Sequence, residues 1–327
     1  VFQQSFLQFS DRMASLDRMK RAQNLLATTN KGLFDQIESV YGVPGAVISS
    51  LWALESDFGK VTGKFSILKS VTTLAYDCRR PEFFRGQLLY ALKLVTRGDV
   101  RPEEMIGNWA GELGATQFMP KDYLESGVDF DRDGKVNLVV STPDTLASVA
   151  NYFVKHGWQR SQPWLQEVSV PQELPWQEAD PTIAHPISYW TRFGVKAVGV
   201  KFPNKDYEVS LILPMGRLGP AFFAYPNMQA FYAWNSSMVY ATTAAYLATR
   251  IAGARPVQRG SSNVEILTNE QVVELQNLLL ARHFDIGQAD GKIGSATRTA
   301  VKEMQLRFGL PADSYATPEL IRRLKGL

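Results

Sequence analysis

A single cysteine, Cys78, in 327 residues excludes an internal disulfide framework and assigns no redox compartment. The three histidines, His156, His185 and His283, are scattered. Neither His-Glu-x-x-His nor Gly-x-Ser-x-Gly occurs, so metalloprotease and serine-hydrolase chemistry find no support. Ser66 and Lys69 form a Ser-x-x-Lys pair, but the Ser-Asp-Asn and Lys-Thr-Gly companions of a serine acyl-enzyme are missing. No run of roughly 18 apolar residues exists, so no transmembrane helix is expected. Val1-Phe-Gln-Gln-Ser-Phe6 lacks the charged and apolar regions of a signal peptide, so any signal segment or lipid-anchor cysteine is expected outside this sequence. A Lys/Arg run is absent too. The net charge is +3, and residues 262–327 hold eight acids and eight bases, which leaves the excess in residues 1–261. That mild balance suits an anionic polymer and gives no reason to expect nucleic acid.

What is present is an ordinary globular composition, 45% hydrophobic and 20% charged, with a length that suggests two domains. Its most informative stretch is Val43 to Gly59, read as a helix with Pro44 at the first helical position and Gly59 just past the end. Ile48, Leu51, Trp52, Glu55 and Phe58 follow helical spacing on one face. Glu55 therefore sits on an apolar stripe beside an indole. Desolvation there favours the protonated carboxyl that a general acid needs; the alternative is a glutamate at the stripe's edge, paired with an arginine or reaching solvent.

Residues 1–40 read as helical, with Phe6, Phe9, Met13, Leu16 and Met19 on one face. Arg79 and Arg80 precede a helix opened by Pro81, with Phe84, Leu88, Ala91 and Leu92 on one face; as adjacent guanidiniums they either grip substrate carboxylates or form a solvated pair. Trp109 to Pro120 is rich in small residues that let backbone approach a ligand, and Gln117 stands there among apolar neighbours. Such a segment builds either a sugar site or a tight turn whose Gln117 caps backbone. Asp129, Asp131, Asp133, Gly134, Lys135 through its carbonyl, and Asn137 follow EF-hand spacing, but position 12 is Val140. Asp144, after a Thr142 cap and Pro143, is the nearest substitute acid; the rival reading is an Asx-turn loop with solvated acids. A helix then runs through Leu146, Val149, Ala150 and Phe153 to Gly157.

Residues 160–226 read as a small β insertion, with a hairpin between Ala197–Phe202 and Tyr207–Pro214. Helix resumes near Met228 and breaks at Trp234-Asn235-Ser236-Ser237, with Tyr240 one turn beyond. Aromatics beside an amide line carbohydrate clefts, or simply fill a core. Residues 254–263 read as a polar linker. Beyond it, Thr268 with Gln271, Ser295, and Thr317-Pro318 are expected to start the helices of a three-helix bundle.

Ala53-Leu-Glu55-Ser-x-Phe-Gly59-x-x-x-Gly63, Gly114-x-x-Gln117-Phe-Met-Pro120 and Val149-Ala-Asn-Tyr152-Phe-x-x-His-Gly-Trp158 together resemble the family 3, or B-type, lytic transglycosylases of glycoside hydrolase family 103. Leu275-Gln276, Asp290-Gly-x-x-Gly294, Thr297-x-x-Ala300-Val301 and Gln305-x-x-x-Gly309-Leu310-Pro311 resemble a peptidoglycan-binding type 1 domain. The resemblance implies a mainly α (α+β) fold: a lysozyme-like catalytic domain over 1–253 carrying the β insertion, the linker 254–263, and a binding bundle over 264–327. It implies Glu55 as the lone acid/base and Arg79, Arg80, Gln117, Tyr152, Asn235 and Tyr240 as substrate contacts, with Trp234 where an aromatic belongs. Asn108, in place of an expected Ser, is counted with them. Glu112 replaces an expected Ala. The same resemblance implies a structural Ca²⁺ held by Asp129, Asp131, Asp133, Lys135 and Asp144, and no cofactor for catalysis. Peptidoglycan glycan strands and stem peptides are the expected partners of a periplasmic monomer; no protein of cell-wall synthesis or division is named by it.

The expected reaction cleaves the β-1,4 bond between N-acetylmuramic acid and N-acetylglucosamine without water, leaving a 1,6-anhydromuramyl end. Its alternatives are a hydrolytic muramidase, in which Glu112 or Asp57 helps water attack, and a binding scaffold without turnover.

Overall fold

The computed structural model describes residues 4–260 and 264–326; the first three residues of the expected N-terminal helix, the last three of the expected linker and Leu327 lie outside the described residues. The helices, in chain order, are α1 Phe6–Met13, α2 Leu16–Ala27, α3 Lys31–Tyr41, α4 Gly45–Ser56, α5 Ile67–Tyr76, α6 Pro81–Arg97, α7 Pro120–Ser126, α8 Thr142–Lys155, α9 Ile187–Arg192, α10 Met228–Trp234, α11 Met238–Ile251, α12 Asn269–Leu280, α13 Ser295–Arg307 and α14 Pro318–Lys325. The strands are β1 Phe65–Ser66, β2 Ile106–Gly107, β3 Leu165–Ser169, β4 His185–Pro186, β5 Lys196–Ala197, β6 Glu208–Ile212 and β7 Ala221–Ala224. By contacts the chain divides into two compact units: residues 13–161 with 244–253, and residues 1–12 with 162–243 and 254–327.

The first unit is helical. Its N-terminal stretch is not one continuous face, because Ser15 accepts the Arg18 N–H at 3.3 Å and caps α2. The spacing restarts there and leaves Leu16 57% exposed. At α4 Pro44 stands one place earlier than expected, as the extended N-cap before Gly45. Every residue of α4 is buried except Glu55. The helix is therefore not amphipathic: it is a core helix, buried all round, whose one opening carries the acid. Its end also differs from the simple glycine stop, since Asp57, Phe58 and Gly59 all take left-handed φ (53°, 63° and 81°). Arg21 supports both non-glycine positions, bonding the Asp57 carboxylate at 2.9 Å and lying over the Phe58 ring at 4.7 Å.

Ser66 caps α5 by accepting the Lys69 N–H at 3.5 Å, which explains the Ser-x-x-Lys pair as a helix start. Pro81 opens α6 as expected, but the buried face runs through Gln87, Ala91 and Leu94 and leaves Leu92 exposed. The cap of α8 is Ser141, not Thr142. No single helix among the described residues is long and apolar enough to cross a membrane; one apolar pair, α3 with α4, passes by length and composition but is bent by 114°.

The second unit is built on an antiparallel sheet of order β4-β6-β7-β3-β5. The expected hairpin between its Ala197 and Tyr207 runs does not form. Ala197 pairs with Val168, whereas Ser210 and Ile212 pair with Ala224 and Phe222. Alternation alone does not choose a strand's neighbour. Leu211, Phe223 and Tyr225 face a core with Trp176 and Trp190, while Phe222 on the opposite face meets Phe6 of α1 edge-on at 5.5 Å.

Helices α12, α13 and α14 pack around Leu275, Leu279, Val301, Met304, Leu320 and Ile321. The Thr268–Gln271 capping box and the Thr317 cap form as expected, while Gly294, rather than Ser295, is the cap of α13. This bundle sits against the sheet within the same unit. Lys302 reaches Asp180 at 3.0 Å, and Asp313 accepts the Arg217 N–H at 2.9 Å.

Candidate functional site

Three segments of the helical unit converge after Glu55. Ser56, the residue beside it, donates its hydroxyl to the Ala115 carbonyl and accepts the Gly59 N–H at 2.8 Å. The end of α4 is thereby tied to the loop 107–118. That loop folds on itself through bridges between Gly107 and Leu113 and between Leu113 and Phe118. The turn is tight enough that a Cβ on Gly107 would fall 1.9 Å from the Glu112 carbonyl oxygen, and one on Gly114, whose φ is 70°, would fall 2.0 Å from that of Leu138.

Within the loop Gln117 holds a left-handed φ of 54°. Its amino group donates to the carbonyls of Gly114 (2.7 Å) and Thr62 (3.2 Å), and its amide oxygen accepts from Asn108 at 2.8 Å. The amide thus caps backbone, as the tight-turn reading has it, and stitches the loop to the segment that follows α4. Asn108 also donates to Glu112, and its own oxygen accepts the N–H groups of Ala110 (2.8 Å) and Glu112 (3.2 Å). Burial pushes the Glu112 carboxyl above its ordinary range, against the opposing pull of the Asn108 bond.

Tyr152 of α8 is buried, stacked on His156 with ring centres 4.0 Å apart, and edge-on to Phe118 at 6.0 Å. Burial raises its hydroxyl above the usual tyrosine range. Asn108, Gln117 and Tyr152 thus meet around one loop. Arg79 and Arg80 have other contacts: Arg79 bonds Asp77 at 2.8 Å, and Arg80 lies over Phe83 at 4.2 Å. Trp234, Asn235 and Tyr240 belong to the second unit. There Asn235 ends α10 and accepts the Ser237 N–H at 3.0 Å, while Tyr240 packs near Phe9 at 6.3 Å. Sequence reasoning passed over Ser56, because a serine that bonds a carbonyl 59 residues away leaves no local signal.

Asp57, a candidate water-activating carboxylate by sequence, is otherwise engaged. Burial alone would raise its pKa, but hydrogen bonds and charge from Arg21 and Arg18 outweigh that and hold it below its usual value. It is the anchor of an ion-pair cluster.

In the acidic loop, Asp129, Asp131 and Asp144 bring one carboxylate oxygen each within 4.8 Å of one another. Asp144 is fully buried and accepts the N–H groups of Phe130 (2.8 Å) and Asn137 (2.8 Å). Asp133 lies outside that trio and accepts the Lys135 N–H at 2.9 Å. Burial raises the Asp144 pKa, opposed by those backbone bonds and reinforced by the negative charge of Asp131. Clustered hard oxygen donors of like charge suit a Ca²⁺-type cation. Tyr123 braces the loop, donating to the Val136 carbonyl at 2.8 Å and accepting the Leu138 N–H at 2.9 Å.

The Transglycosylase SLT domain family matches residues 1–249. The chain belongs to that family. A Putative peptidoglycan binding domain matches residues 268–324, downstream of the SLT domain. The chain is similar to SltB3 from Pseudomonas aeruginosa, solved in complex with NAG-anhNAM-pentapeptide and with NAG-NAM-pentapeptide: TM-score 0.90, 37% identity, 99% of this chain and 87% of that one covered. The Escherichia coli lytic transglycosylase Slt35, solved in complex with calcium, superposes with TM-score 0.66 at 28% identity, covering 76% of this chain and 78% of that one. Membrane-bound lytic murein transglycosylase B of Escherichia coli (strain K12) is 41% identical over 120 residues, or 36% of this chain and 33% of that relative. The chain thus spans about a third of that curated relative's length. The architecture is mostly helical and lysozyme-like, with a small sheet and a C-terminal helical domain of the peptidoglycan-binding type.

Proposed function

We propose that this chain is a peptidoglycan lytic transglycosylase that cleaves between N-acetylmuramic acid and N-acetylglucosamine, with Glu55 as its sole acid/base. The observation that carries the reading is the position of Glu55 as the one unburied residue of an otherwise buried helix in an SLT domain. A carboxyl fixed in a core helix keeps its position. Glu55 gives its proton to the glycosidic oxygen as the C1–O bond breaks. The resulting carboxylate takes the proton of the muramyl C6 hydroxyl, whose oxygen bonds to C1 and closes the 1,6-anhydro ring, and Glu55 ends protonated as it began. An ordinary hydrolase would need a second carboxylate to serve water or act as nucleophile. Asp57 is unsuited to that task, being bound to two guanidiniums.

Asn108, Gln117 and Tyr152 are the proposed substrate-side residues of the helical unit, with Arg79 and Arg80; Trp234, Asn235 and Tyr240 are those of the second unit. The division into a catalytic domain over 1–253 and a binding domain over 264–327 belongs to the same reading, as does a periplasmic location. The acidic loop is proposed to hold a structural Ca²⁺ through Asp129, Asp131 and Asp144, with Asp133 and the Lys135 carbonyl completing its shell. That ion neutralises the loop and takes no part in the reaction. The test is mass spectrometry of products from purified peptidoglycan. Anhydro-muropeptides that disappear in Glu55→Gln support the assignment, whereas reducing-end products would make the enzyme a muramidase and a fully active Glu55→Gln would remove the acid from its role.

A further inference from the structure

Asn108 and Glu112 are the two places where the loop 107–118 departs from the pattern it otherwise resembles, and the structure joins them. The Asn108 oxygen accepts two backbone N–H groups, from Ala110 and Glu112. Its amino group must therefore point the other way, since turning the amide over would set N–H against N–H. In that orientation the amino group's two hydrogens are divided between the Glu112 carboxyl and the Gln117 amide oxygen. With its oxygen taken by Asn108, Gln117 has only its amino group left for the carbonyls of Gly114 and Thr62. Each amide in the series fixes the orientation of the next.

We propose that Glu112 is a positioning residue: its carboxyl anchors one amino hydrogen of the Asn108 amide, already turned by the Ala110 and Glu112 N–H groups, so that the other hydrogen stays on Gln117 and the loop is held against the segment that follows the Glu55 helix. The proposal rests on the lytic transglycosylase reading for its functional meaning and on the hydrogen bonds alone for its geometry. Three physical points support it. The left-handed Gln117 backbone is a conformation that must be held from outside. Glu112 is partly buried, so its bond to Asn108 operates in a medium where hydrogen bonds polarise one another. The loop is joined to α4 at Ser56, one residue from Glu55, and displacements of about 1 Å near a reacting centre can cost roughly 100-fold in rate.

The experiment compares Glu112→Ala and Glu112→Gln by two readouts: turnover of purified peptidoglycan, with kcat and KM separated, and the side-chain amide NMR signals of Asn108 and Gln117. Glutamine still offers an oxygen to Asn108; alanine does not. The expected result is that Glu112→Ala lowers kcat about 10-fold or more with a smaller change in KM, broadens or shifts the amide signals of both Asn108 and Gln117, and leaves the melting temperature within a few degrees, while Glu112→Gln restores both readouts. If Glu112→Ala does not fold, Glu112→Met supplies similar volume without an acceptor and takes its place. The proposal is overturned if the Gln117 amide is unmoved in the variant that lacks an acceptor, or if that variant turns over at the wild-type rate. Should the wild-type protein release no anhydro-muropeptides, the lytic transglycosylase reading falls, and the amide signals still decide the relay.

Discussion

Glu55 and Asp57 are two residues apart at the end of one helix. Glu55 is the single break in the burial of α4, whereas Asp57 lies between two guanidiniums at the end of the same helix. Because the folded pKa of Asp57 is lowered, its ion pairs add stability in full above the unfolded value of about 3.9 and lose it as pH falls through the lower folded value. Asp57→Asn is therefore expected to destabilise the protein by about 1–3 kcal/mol at pH 7, with the gap to wild type closing in melts run at progressively lower pH below 4. A gap that persisted unchanged in acid would mean the loss comes from backbone strain at φ 53°. The sequence supplied Glu55 through its spacing with Leu51 and Trp52. The stripe that spacing implied does not exist, however, because neighbouring elements cover the other faces as well. Gln117 was legible as a special residue in a glycine-rich segment, but its three hydrogen bonds, to Asn108, Gly114 and Thr62, came only with the fold.

At the scale of elements, α4 and the acidic loop respond to different perturbations. Leu51 is fully buried on α4, so Leu51→Ala is expected to cost about 2–5 kcal/mol, while Glu55→Gln, at the helix's one opening, leaves the melting temperature nearly unchanged as activity is lost. Parallel thermal melts and product assays check the separation. The acidic loop was legible as an EF-hand-like run ending in a non-ligating Val140. Asp144 was legible as the nearest further acid, and its full burial beside Asp129 and Asp131 came only with the fold. If the loop takes Ca²⁺, the ion stabilises the folded state in proportion to the logarithm of its concentration. A melting temperature that rises with added Ca²⁺, falls in EDTA and no longer responds in Asp144→Ala is the expected outcome. Equal melting of wild type with and without Ca²⁺ would leave the loop as a hydrogen-bonded Asx turn.

For the molecule as a whole, the C-terminal bundle is not held by a linker alone. Lys302 and Asp180, with only 15% and 18% of their side chains exposed, bridge α13 to the sheet region, and the Thr182 and Lys302 bonds outweigh burial to hold Asp180 below its ordinary range. The segment 254–260 is itself anchored: Gln258 donates its N–H to Glu167 at 2.7 Å, and Arg259 bonds Asp11 at 2.9 Å. Lys302→Ala leaves a partly buried carboxylate without its cation and is expected to destabilise by about 1–3 kcal/mol. Limited proteolysis in the 254–263 segment should cut faster in that variant; an unchanged cleavage rate would show that the pair does not hold the bundle.

By itself the sequence determined what depends on a few neighbouring residues: the caps at Thr268 and Thr317, the Pro81 helix start, the alternating acids from Asp129, the Glu55 motif and the succession of an SLT domain and a binding bundle. These are legible because a cap or turn closes its hydrogen bonds within three to five residues. Only the tertiary structure decided that α4 is buried all round, that β6 pairs with β7 and not with β5, that the bundle sits on the sheet, and that Glu112, Asn108 and Gln117 form one relay. Each of those depends on which distant surfaces meet, and periodicity says that a face is apolar without saying what will cover it.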